Sequence, residues 1–100
     1  MYGLSNNVIH DICSVFQRHS NIEKVILFGS RAKGCYTEGS DIDLAVVGAD
    51  LSFNQLMDIR VQIDDLELLY KVDVIDYNKN IGTPIGEHID RVGKPFYPAN

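Results

Sequence analysis

One hundred residues, 45% of them hydrophobic and 23% charged, are enough for a single globular domain with one modest core. The net charge of −5 argues against a general electrostatic grip on nucleic acid or on an anionic membrane. The longest apolar runs, Val25 to Phe28 and Leu44 to Val47, fall far short of a membrane span.

The first element expected is an amphipathic helix over about 5–19. It is marked by Val8, Ile9, Ile12, Val15 and Phe16 at helical spacing, with Ser5 as N-cap. Glu23 to Phe28 is β-branched and apolar, hence a strand. Ser30 to Lys33 reads as a short helical turn ended by Gly34, and Ile42 to Val47 as the second strand. Ser52 and Gln55 form a capping box, and Leu56, Ile59, Ile63 and Leu66 continue on one face, predicting a long helix to about Leu69. Lys71 to Tyr77 is a third strand. Thr83 and Pro84 open a last helix, which Gly93 and Pro95 close, before a short strand near Phe96 and Tyr97. This order predicts an α/β (α+β) domain with helices packed on a small sheet. The long helix between the second and third strands permits a parallel crossover. The pattern leaves the relative direction of the first two strands open.

Two features of this plan call for chemistry. Asp41 and Asp43 project to the same face of the second strand, away from Ile42 and Leu44. The third strand carries Asp73, with Asp76 on its opposite face if the strand stays regular. Three carboxylates on one patch repel, by about 4 kcal/mol for a pair 4 Å apart at an effective dielectric near 20. A bound cation or a held proton relieves this, and hard oxygen ligands suit Mg²⁺ or Mn²⁺. The plainer reading is that these acids are solvated strand ends. The second feature is Gly29-Ser30, directly after the first strand. Glycine there permits close backbone approach to a ligand. Free N–H groups and the Ser30 hydroxyl suit a phosphate, with Arg31 and Lys33 adding positive charge. Neither a Walker loop nor a GxGxxG fingerprint is present.

Gly-Ser, ten residues and Asp-x-Asp, in "GSRAKGCYTEGSDID", resemble the nucleotidyltransferases of the DNA polymerase β superfamily, and the short length resembles their minimal branch. The likeness runs from about Val25 to Tyr77. It implies a polymerase-β-like fold with a mixed sheet and one catalytic domain over residues 1–100. It also implies that Gly29 and Ser30 hold a nucleoside triphosphate, that Asp41 and Asp43 bind divalent metal, and that Asp73 completes the triad. The implied reaction passes a nucleoside monophosphate, AMP from ATP, to a hydroxyl group. The resemblance further implies a small helical HEPN-domain protein as partner, in a toxin–antitoxin pair where this chain is the antitoxin. A homo-oligomer is also compatible. The competing reading is a non-catalytic antitoxin or nucleotide-binding module that neutralises its partner by occlusion.

Other residues read more plainly. Cys13 and Cys35 lack metal spacing and are expected as free thiols in a reducing cytoplasm. No secretory leader is expected, because the segment from Met1 to Asp11 has neither a basic nor an apolar region. His10, His19 and His88 are scattered and read as surface or helix-face residues, with an adjunct to the active site as the alternative. Tyr36 reads as an exposed loop residue, with stacking on a base as the sharper alternative. Leu66, Leu68, Leu69 and Tyr70 read as core, with a partner surface as the alternative.

Overall fold

The computed structural model describes residues 1–98. The chain runs through α1 (Asn6–Gln17), β1 (Ile22–Phe28), α2 (Gly29–Lys33), β2 (Ile42–Gly48) and α3 (Phe53–Asp64). It continues through β3 (Val72–Asp76), a 3-10 turn (Asn78–Asn80), α4 (Pro84–Val92) and β4 (Lys94–Tyr97). The four strands form one mixed sheet in the order β3-β2-β1-β4. β1 is antiparallel to both β2 and β4, and β2 is parallel to β3. The direction left open by the pattern is thus antiparallel, and α3 makes the expected parallel crossover.

Strand alternation divides the apolar residues between two faces. Val25 and Leu27 of β1, Ile42, Leu44 and Val46 of β2, and Val74 of β3 join Ile12, Val15 and Phe16 of α1 and Leu56, Ile59 and Ile63 of α3 in the main core. Several of these, including Ile12, Phe16, Leu44 and Ile59, are wholly buried. Each contributes about 1.5–3 kcal/mol by leaving water. The opposite face is smaller. There Phe28 and Ala45 pack on Ile89 of α4, flanked by Ile26, Ile75, Tyr77 and Val92. A sheet thickly covered on one side and thinly on the other leaves strand ends on the thin side for other uses.

The caps form as the sequence implies. Ser5, Ser52 and Thr83 accept from the amides of Val8, Gln55 and Gly86, and Pro84 occupies the first helical turn of α4. The helix expected to reach Leu69 stops at Asp64. The chain there turns through short bonds from Leu66 N–H to Ile63 O (3.0 Å) and from Glu67 N–H to Asp64 O (3.0 Å), and Glu67 takes a positive φ of 54°. Leu66, Leu68 and Tyr70 pack on the core from this irregular segment, while Leu69 is 100% exposed. The apolar run that mimics a helical stripe serves a loop. The reason is that Val72 must arrive opposite Ile42 to begin the parallel pairing.

His19 ties the helices together. Its Nε2 lies 2.9 Å from Gln62 Oε1, and Gln55 Nε2 lies 3.1 Å from its Nδ1. Gln55 also exchanges two bonds with Asn21, whose amide reaches Ala49 O. This imidazole is structural. Cys13 is buried and Cys35 exposed, both as free thiols. Burial pushes the Cys13 thiol up to about 11, and it donates to Phe96 O. Among the described residues no helix is long and apolar enough to cross a membrane.

Candidate active site

The site begins with a register. Asp43 and Asp73 are direct partners across the parallel β2–β3 pair. Partners in register point to the same face, so both carboxylates rise from neighbouring strands on the side covered by α4. Asp41, exposed, lies just before β2. One strand pairing therefore brings Asp43 and Asp73 together, and the charge of Asp41, in the loop that feeds β2, acts on Asp43. Asp76 goes elsewhere. It is 5% exposed on the other face, its Oδ1 accepts Asn78 N–H (3.0 Å), and its backbone carbonyl accepts from Asn80 Nδ2 (2.7 Å). It shapes the 3-10 turn rather than the site.

The crowding has an electrostatic signature. Burial first, then the charges of Asp73 and Asp41 and a hydrogen bond with Asp73, hold the Asp43 carboxyl above its ordinary value, and His88 opposes them. A cation between the two carboxylates would relieve this repulsion. The Lys71 ammonium reaches Asp73 Oδ1 at only 3.9 Å, with both side chains well exposed, so it is a weak counterion.

Gly29 closes the site from the other side. Phe28 is the register partner of Asp43 on the antiparallel strand, so Gly29 emerges beside the carboxylate. Its φ is +75°, and a Cβ here would collide with Asp43 Oδ2. Glycine is required on both counts. Ser30 follows, and its hydroxyl makes no hydrogen bond among the described residues. Gly34 ends α2 in the left-handed region, and Cys35 N–H returns to Ser30 O (3.1 Å).

The two basic residues of the turn part company. Lys33 is exposed at the end of α2. Arg31 is 2% exposed, and its guanidinium is spent on backbone carbonyls. The expectation that Arg31 offers charge to a triphosphate is therefore corrected. Its side chain is turned into the fold because three carbonyls and two tyrosine rings there satisfy it.

His88 joins the site unannounced. Gly29 N–H donates to its Nε2 (3.3 Å), and its ring meets Phe28 edge-on with centroids 6.2 Å apart. The sequence reading placed it on the surface or a helix face, with a place beside the active site as the alternative. The available signal was its place beside Ile89 on the buried border of α4, but the strand end it faces is set only by tertiary packing. Asp41 is exposed and Asp43 half-buried. A groove of about 550 Å³ runs elsewhere, between α1 and β4, lined by residues such as Tyr2, Ile9, Cys13 and Phe96.

Among the described residues no group of three or more His, Cys, Asp or Glu side chains is arranged to hold a metal ion. Mg²⁺ and Mn²⁺ take one or two protein carboxylates and complete their shell with water and substrate phosphate. The all-oxygen donor set of Asp43 and Asp73, register partners on neighbouring strands, fits such an ion.

Comparison with known proteins gives the family and the fold. The family model "Polymerase beta, Nucleotidyltransferase" matches residues 10–100. A Methanocaldococcus jannaschii protein named "Putative protein adenylyltransferase MJ0604" is 55% identical over 85 residues, covering 76% of this chain and 79% of that protein. A crystal structure of a mutant form of the toxin–antitoxin pair MntA–HepT superposes with a TM-score of 0.69 at 26% identity, over 97% of this chain and 75% of that one. A toxin–antitoxin structure with AMP-PNP has a TM-score of 0.70 over 97% of this chain and 76% of that one, and at 24% identity it shares the fold.

Proposed function

This chain belongs to the polymerase β nucleotidyltransferase family, and we propose that it transfers AMP from ATP to a hydroxyl group on a partner protein, as the antitoxin of a HEPN-type toxin. The observation that carries the reading is the Asp43–Asp73 register with Asp41 at its mouth and Gly29 pressed against Asp43. The 55% identical relative named for protein adenylylation supports the choice of AMP and of a protein acceptor. The toxin–antitoxin neighbour at 26% identity supports the choice of partner.

In this mechanism Ser30 and the Gly29–Ser30 backbone receive the triphosphate, with Lys33 adding charge at the rim. Asp41, Asp43 and Asp73 would hold the divalent ion. When bound, that ion supplies charge neutralisation to the carboxylates and to the phosphate oxygens. Asp73, at the edge of the cluster and 45% exposed, accepts the acceptor's proton. The acceptor oxygen forms a bond to the α-phosphorus while the bond to the β-phosphate oxygen breaks, and pyrophosphate leaves with its electron pair. Positioning and electrostatics account for the catalysis, as in other phosphoryl transfers. Nothing in the fold requires a second domain to form the acid cluster, and the acceptor approaches from solvent.

The test is incubation of the protein with α-labelled ATP, Mg²⁺ and a HEPN-domain protein as acceptor. Label on that acceptor, lost with Asp41→Asn, is the expected result. Neutralisation of the HEPN-domain protein without label, unchanged in Asp41→Asn, identifies the occlusion reading instead.

A further inference from the structure

We propose that Arg31 is the positioning residue of this site, fixing where Asp41 stands and how the chain enters the strand that carries Asp73. The proposal rests on the reading of Asp41, Asp43 and Asp73 as the metal-holding group.

The guanidinium is buried, yet among the described residues it pairs with no carboxylate. Its charge is met by three carbonyl oxygens and two aromatic faces. Nε and Nη2 both donate to Ser40 O, at 3.1 and 3.0 Å. Nη2 also donates to Glu38 O at 3.1 Å, and Nη1 to Tyr2 O at 2.9 Å. The Tyr36 and Tyr70 rings lie 5.2 and 5.0 Å from the guanidinium carbon.

These contacts converge on the acid cluster. Ser40 O belongs to the peptide plane that ends in Asp41, so two donors on that oxygen fix the plane from which Asp41 departs. The Ser40 hydroxyl accepts Thr37 N–H (2.9 Å) and its own N–H returns to Thr37 O (3.1 Å), closing the turn that Arg31 holds from inside. Tyr70 precedes Lys71, whose carbonyl accepts Ile42 N–H (2.9 Å) at the first step of the β2–β3 pairing. One planar side chain thus spans α2, the loop before Asp41 and the segment before Asp73. A lysine has neither the fork nor the flat face to do this.

The experiment is Mn²⁺ binding, followed by loss of the free-ion paramagnetic resonance signal, in the presence of α,β-methylene ATP, which cannot release pyrophosphate. Amide hydrogen exchange is measured on the same samples. In Arg31→Lys, Mn²⁺ affinity falls by about tenfold, as for other groups that orient metal ligands from behind. Amides 36–41 exchange faster, while those of β1 and the centre of β2 keep their protection. Unchanged Mn²⁺ affinity in the folded variant overturns the proposal, because a purely structural arginine would lower the melting temperature and leave metal binding alone. Tyr36→Leu gives a second test, since it removes one aromatic face from an exposed residue. A smaller affinity loss with the same loop exchange is expected, and no change in either overturns the proposal. Mn²⁺ binding in Asp43→Asn equal to the wild type would instead overturn the metal reading on which the proposal rests.

Discussion

Asp43 and Asp73 face each other across the parallel β2–β3 pair as direct register partners, and the carboxyl of Asp43 is held above its ordinary value. Burial is the first cause and the neighbouring acid charges the next. A fold that places like charges this way stores a repulsion that a cation relieves. The pH response follows from the sign of the shift. A carboxyl raised in the folded state contributes its stability below the unfolded value, near 3.8, and loses it as pH rises through the raised folded value. Metal-free wild type therefore loses ground to Asp43→Asn as pH climbs out of that range. Melting curves of the two proteins from acid to neutral pH, with and without Mg²⁺, check this. The stability gap widens with pH, and Mg²⁺ raises the melting temperature of the wild type alone.

Asp73 and Asp76 separate the site from the turn beyond it. Asp73→Asn abolishes nucleotidyl transfer. Asp76→Asn keeps it, because an amide oxygen still accepts the Asn78 N–H. Transfer rates of the two purified variants decide the assignment.

Gly29→Ala is damaging twice. A non-glycine residue at φ +75° costs about 1–3 kcal/mol, and the added methyl strikes the Asp43 carboxylate. Denaturant unfolding reports the first effect. Loss of transfer under conditions where the variant is still folded reports the second.

His88 accepts the Gly29 N–H, so its removal frees the peptide that leads into the proposed triphosphate turn. His88→Ala lowers kcat/KM for ATP, by up to about 100-fold if the peptide shifts by 1 Å. His88→Gln, which offers an amide oxygen to the same N–H, recovers part of the loss. Steady-state kinetics of both variants, with circular dichroism to confirm folding, provide the check.

Much of this arrangement was legible in the sequence because it rests on local rules. The period-2 pattern put Asp41 and Asp43 on one face, and the same rule set Asp73 apart from Asp76. The caps at Ser5, Ser52 and Thr83 announced three helices. What escaped was set by contacts distant in sequence. Arg31 reads as free charge beside a phosphate turn until Tyr2, Ser40 and Tyr70 are seen to enclose it. His88 lies 59 residues from the glycine it touches. The stretch from Leu66 to Tyr70 has the composition of a helix. It is a loop because the position of Val72 opposite Ile42 leaves no length for further turns.

The central claim is that the Asp41, Asp43 and Asp73 cluster passes an adenylyl group from ATP. The most direct measurement compares ATP labelled at the α-phosphate with ATP labelled at the γ-phosphate, using the HEPN-type partner as acceptor. Only the α label is expected to reach the acceptor, with pyrophosphate released, and Asp43→Asn is expected to stop both. Transfer of the γ label, or α transfer that Asp43→Asn leaves intact, rules out adenylyl transfer by this cluster.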